Sequence, residues 1–414
     1  MRVRNSGSVD VYAAEATRLT STDMTLSVSD EVQILGGNEV VLTTDSLALN
    51  ADTAADISTT DMAMSVDDAL TATVGAATTV TSTDVKVDAG DGIELSGVNA
   101  AEVEVDSVKV TTASGLTAEV GTETSIVSKD LNVDVLDGAR VSTDDLAIEA
   151  AGTMSVSGEE SLSVTARTTT LDTAQDATIR MGGDATLEVG DATRISSATS
   201  LNIATGGTTT SLSQDMDLQV DATMTASVGT VEAAIGSDVD VSIVDALTLN
   251  ANDINVLGEG GFDLRTGAGA TISSDEIAMR ADDSVSVSSG AKIDVVTSEL
   301  ELEATTSASL STSALKLDSA VSTEVFSGDS LVATTTDLLV HSFVDTVLTA
   351  GERVTMTSAD ATVNVGDTID VSAVDMRVRN SGSVDVYAAE ATRLTSTDMT
   401  LSVSDEVQIL GGNE

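Results

Sequence analysis

The chain advances in short runs of alternating apolar and polar residues that restart about every eight positions. Val9-Asp10-Val11-Tyr12, Met24-Thr25-Leu26-Ser27, Val32-Gln33-Ile34-Leu35, Leu47-Ala48-Leu49-Asn50 and Met62-Ala63-Met64-Ser65 are examples. Successive side chains of a strand point to opposite faces, so strict alternation predicts strands with one buried face. Gly, Asp, Ser, Thr and Ala fill the positions between runs, the composition of tight corners. At these corners Asp is expected to cap backbone N–H groups and to tolerate left-handed conformations.

With the first residue of each run called position a, residues 1–375 hold 49 segments, and position c is apolar in 48 of them, counting alanine. The exception is Ser211, where a one-residue slip would bring Leu212 inward. Position e is small or valine, and b and d carry charges and hydroxyls, so a, c and e are read as facing in. Segments of seven residues interrupt the eights. Cut every three segments, the chain falls into 18 turns of about 23 residues, nearly every one with a single seven-residue segment. A period of three segments predicts an all-β, three-sided parallel β-solenoid made by one coiling chain, with 18 rungs. The seven-residue segment shifts from the third side to the second and then the first, as a short edge winding round a twisted prism would.

Composition agrees with such a coil. Proline, which would interrupt a strand ladder, is absent from all 414 residues. Aromatics are 1%, as expected of a narrow core of Val, Leu, Ile, Met and Ala in which bulky rings do not fit. The formal charge of −50 makes nucleic acid a poor partner, and no apolar run is long enough to span a membrane. There is no cysteine, which excludes disulfides and thiolate chemistry, and no secretory signal at residues 1–19.

Residues 1–39 and 376–414 are identical at all 39 positions, an offset of 375. The expected organisation is one full tandem unit at 1–375 and the start of the next at 376–414, within a longer array. Neither end carries a polar cap, and uncapped strand edges invite pairing with further chain.

The stretches Met181-Gly-Gly-Asp-Ala-Thr-Leu-Glu-Val-Gly-Asp-Ala192 and Val363-Asn-Val-Gly-Asp-Thr368 resemble the VxVGxxxx octads of phage tail-needle and type VI secretion spike proteins. That resemblance implies an alternative, an intertwined homotrimeric triangular β-prism acting as a needle or fibre. The glycine after the second valine occurs in only a few segments. The three-segment memory is also not expected of a trimer, in which all faces at one level carry the same segment.

Few residues suggest chemistry. No connection exceeds a few residues, which leaves little room for a ligand pocket, and no enzyme activity is expected. The paired acids Asp67–Asp68, Asp144–Asp145, Glu159–Glu160 and Asp282–Asp283 are read as solvated corners, and His341, at an outward d position, has no second histidine or cysteine to complete a site. Gly267–Gly269 lacks the Gly-Lys-[ST] of a phosphate loop. Aspartates closing short segments, among them Asp61, Asp84, Asp130 and Asp145, are the candidates for structural calcium at stacked corners, although the GGxGxD calcium pattern is missing. The function expected is structural: a segment of a long acidic fibre, extracellular or at the cell surface. Its expected partners are further copies end to end, with lateral association through divalent cations.

Overall fold

The alternating runs do become strands: the computed structural model is 83% strand, with no helix among the described residues. It describes residues 2–411 apart from short corner stretches, nearly all of them before residue 215, and apart from some strand side chains in the same region. The chain divides into two compact units, 1–212 and 213–414.

In the first unit every described pairing is parallel and joins residues about one turn apart. One face stacks Arg2, Thr25, Ala48 and Thr71 in register. The next stacks Val9, Val32 and Ala55, and the third Thr17, Val40 and Met62. The second unit repeats the plan with columns Met216–Val239–Phe262–Val285, Met224–Leu247–Ala270–Ile293 and Val231–Ile254–Ile277–Leu300. Each strand thus finds its neighbour about 23 residues along its own chain, giving a parallel β-solenoid. The layers close within one chain, in contrast to the intertwined trimer of the needle family. About 14 turns are described, against the 18 that the segment count predicts.

The interior is the predicted column. Met24, Leu26 and Val28 are buried in the first unit, as are Ile293, Val295, Leu300 and Leu302 in the second. One expectation fails: Phe262 sits in the core, 7% exposed, at an a position stacked between Val239 and Val285. A single ring is accommodated where its column neighbours are short valines. The other phenylalanines, Phe326 and Phe343, are exposed.

The seven-residue segments leave a clear structural mark. Several run without a break into the next segment, giving 13-residue strands such as Ala16–Val28, Glu39–Ala51, Lys292–Ala304 and Thr368–Asn380. At these short corners a hydroxyl at position e bonds backbone carbonyls. Thr297 Oγ1 lies 3.0 Å from the Asp275 carbonyl of the turn below and 2.8 Å from the Glu299 carbonyl two residues ahead. Thr44 repeats this with Thr22 and Ser46, Ser274 with Asn252 and Glu276, and Thr335 with Ser313 and Asp337. A buried carbonyl needs a partner, so position e is small and hydroxylated for a second reason besides fit.

Two corner expectations are corrected. No described residue has a left-handed backbone, so Asp is not used here for that tolerance. Glycine is instead required by close approach: a Cβ at Gly267 would lie 1.8 Å from the Val244 carbonyl oxygen, and one at Gly290 would lie 1.9 Å from that of Gly267. The slip at Ser211 does not occur either. Ser211 aligns with Leu187 and Leu212 with Glu188, leaving Leu212 exposed and the Ser211 Oγ buried without a partner. A one-residue slip would turn the whole strand over, so one misplaced serine is the smaller cost.

Candidate functional site

The corner aspartates work as braces between turns. Asp238 Oδ1 accepts the Gly261 N–H at 2.8 Å, and Asp360 Oδ1 accepts the Ser383 N–H at 3.0 Å. Asp345 Oδ1 takes both the N–H and the hydroxyl of Thr368. Asp23 Oδ1 accepts the Ser46 hydroxyl at 3.0 Å, and Asp172 Oδ1 that of Ser196 at 2.6 Å. In each case the donor belongs to the following turn; Asp238, Asp345 and Asp360 cap a backbone N–H across layers, whereas Asp23 and Asp172, the latter within the strand Thr168–Thr173, hold hydroxyls.

The calcium candidates fall in two columns. Asp61 aligns with Asp84, Asp84 with Ser107, and Ser107 with Asp130, while Asp145 aligns with Glu123 and Thr168 on another side. The side chains of Asp61, Asp84, Asp130 and Asp145 lie outside the described residues. Among the described residues, no group of three or more His, Asp or Glu is gathered to hold a metal ion.

Of the paired acids, Asp67–Asp68, Glu159–Glu160 and Asp144 also lie outside the described residues. Asp282–Asp283 is an exposed corner, where Asp283 accepts the Thr306 hydroxyl through its carbonyl and its carboxylate. Gly267 and Ala268 form a corner between strands with no helix after it, so no phosphate cradle is present there.

His341 is better partnered than its sequence context suggested. Its Nδ1 lies 3.0 Å from Asp318 Oδ1 on the preceding turn, and its ring meets Phe343 edge-on at 5.0 Å. Lys316 Nζ holds the other Asp318 oxygen at 3.1 Å and approaches Asp294, which Lys292 also contacts. The hydrogen bond from His341 is the main cause holding the Asp318 carboxyl below its ordinary value of 3.8, with Lys316 adding to it and burial opposing it. Sequence reading missed this cluster because its members sit 23 residues apart and meet only through the rung register.

The second unit also contains an apolar cavity of about 150 Å³ along its interior, lined by inward side chains such as Leu310, Leu348, Met356, Leu401 and Ile409. It lies inside the coil and not between loops, where the sequence analysis looked for pocket space. It is below the roughly 300–1,000 Å³ of ligand pockets. Its polar lining is confined to hydroxyls such as Thr346 and Ser358, which offer no acid or base.

The cavity extends to the strands Ala391–Val403 and Val407–Gly411. Leu394, Met399, Leu401, Val407 and Ile409 are 39–49% exposed although all occupy inward positions. Among the described pairings, Ala391–Val403 pairs only with Thr368–Asn380, and Val407–Gly411 only with Val384–Ala388.

Comparison with known protein families, curated proteins and solved structures returned no match. Among the described residues no helix is long and apolar enough to cross a membrane.

Proposed function

We propose that the chain is a structural segment of a long, acidic, fibre-forming repeat protein, an extracellular filament, surface hair or rigid spacer. One observation carries this reading. The 39-residue sequence that recurs at an offset of 375 folds into matching strands both times, Val9–Ala13 and Ala16–Val28 against Val384–Ala388 and Ala391–Val403. A coil of this kind grows by adding layers, each contacting only its neighbours, so tandem units lengthen it without a new kind of contact. The braces between turns serve such a rod, and no described cluster favours an enzyme.

Each turn of about 23 residues adds ~4.8 Å along the axis of the coil. The charge of −50 then amounts to roughly one negative charge per 1.7 Å, the density of duplex DNA. Such a rod repels its neighbours and holds a counterion atmosphere. Divalent cations would lower that repulsion and promote lateral association.

Electron microscopy of a two-unit tandem chain tests the proposal. Stiff, unbranched rods, dispersed at low salt and drawn together by millimolar calcium, are expected. Compact round particles would overturn it.

A further inference from the structure

One side of the second unit carries its outward charges in separate blocks. Asp217, Asp240 and Asp263 stack in register on three successive turns, with Arg265 bonded to Asp263. The register then runs through Ser286, Ser309, Val332 and Thr355 to Arg377. The second outward position of the middle turns, Ser288 to Thr357, is also serine or threonine, and Arg379 stands beside Arg377. From Asp217 to Arg379 this side therefore holds three aspartates and three arginines, a balance, in a chain of net charge −50. The neighbouring side from Glu232 to Ser372 sets Glu232, Glu301, Glu303, Glu324 and Asp370 against Arg280 alone.

The two blocks keep charge to spare. Asp375 is shared between Arg353 at 3.3 Å and Arg377 at 2.8 Å, and Arg379 is exposed with no ion pair among the described residues. Asp240 is 58% exposed along its side chain, and its contact with Arg265 is 3.9 Å long. We infer that this side binds the same side of a second copy, the two coils running antiparallel about a two-fold axis at Ser309. Arg377 and Arg379, three turns above Ser309, then lie over Asp240, three turns below it, and Ser286 faces Val332. Charge is complementary only in this direction, because parallel copies in register would set Arg377 against Arg377. A two-fold contact uses each block twice, so both ends engage together.

The small side chains between the blocks let two sheets approach to the usual ~10 Å. The turns from Asp240 to Arg377 at ~4.8 Å each, and strands of five residues at ~3.4 Å each, make this side about 34 Å by 17 Å. A pair would bury roughly 1,100 Å², just above the ~1,000 Å² that a specific interface needs. At the rims the same axis sets Lys292 opposite Asp337 and Asp283 opposite Asp329. One is an attraction and the other a repulsion, and exposed pairs of either kind count for little. The pairing uses only the second unit's own side and holds whether or not units join into a fibre.

The test is sedimentation of the full chain with EDTA present, which removes association through divalent cations. A doubling of mass is expected at ~0.15 M salt, where a screening length of ~8 Å damps repulsion between the other sides. The mass should fall back at ~0.01 M, where that length is ~30 Å and the acidic coils repel, and at ~1 M, where it is ~3 Å and the pairs themselves are screened. The double variant Arg377→Asp with Arg379→Asp should stay monomeric, and so should Asp240→Arg with Asp263→Arg. An equal mixture of the two variants should dimerise again, because each block then meets its opposite. A single-chain mass for the unaltered protein at every salt concentration would overturn the pairing. So would dimers indifferent to both double variants, or mixed variants that stay apart while each keeps the parent's circular dichroism.

Discussion

Met24 and Met399 are the same position of the same 39-residue sequence, yet the first is 1% exposed and the second 49%. Local sequence sets the strand and its register; burial is set by the layer above. Oxidation should separate the two. Peroxide is expected to convert Met399 to its sulfoxide well before Met24, since susceptibility follows exposure. Trypsin distinguishes them, because Met24 lies in the peptide 19–86 and Met399 in 394–414. Equal rates would show that the two copies share one environment.

The same comparison predicts unequal costs for one substitution. Leu26→Ala removes a side chain 2% exposed and should destabilise the fold by about 2–5 kcal/mol. Leu401→Ala removes one that is 48% exposed and should cost under about 1 kcal/mol. Denaturant titration of both variants checks this.

Hydroxyls in the core divide into useful and orphaned ones. Thr297 bonds the Asp275 and Glu299 carbonyls, so Thr297→Val should destabilise by about 1–3 kcal/mol. Thr346 is 2% exposed and its Oγ1 is buried without a partner. Thr346→Val keeps the shape and should raise the melting temperature. Opposite signs for the two variants are the expected result.

Gly290→Ala should be strongly destabilising, because its Cβ would lie 1.9 Å from the Gly267 carbonyl oxygen and the neighbour is backbone. Thermal melting of that variant beside Gly269→Ala, whose Cβ would find its nearest atom at 3.5 Å, separates close approach from general loss of glycine.

The Asp318 carboxyl titrates below its ordinary value of 3.8, chiefly through His341. A folded-state value below the unfolded one means that the stabilisation is present above 3.8 and is lost as pH falls through the folded value. For this part-exposed pair it should be under about 1 kcal/mol. His341→Ala should move the Asp318 titration, followed by NMR, upward toward 3.8; no movement would remove His341 as the cause.

Most of the fold could be read from the sequence because a solenoid translates a one-dimensional period directly into a layer. The inward positions of Met24, Leu26, Val32 and Ile34 follow from alternation alone, and the 23-residue register follows from counting segments. The failures lie where contacts depend on the layers above and below. Phe262 fits because Val239 and Val285 flank it, and the Asp318–His341 pair forms because the register aligns residues 23 apart. Ser211 stays inward because its strand is held by its neighbour, a constraint invisible within one segment.

The segment count has a further consequence for tandem arrays. Forty-nine segments per unit leave a remainder of one when divided by three, so each successive 375-residue unit should start one face further round. The most direct measurement is the axial advance per 375-residue unit in cryo-electron microscopy of a tandem chain. A one-chain coil with three segments per layer should advance roughly 78 Å at the ~4.8 Å layer spacing, with equivalent faces turned by one side. An advance near 235 Å, as one segment per layer requires, would contradict the one-chain coil.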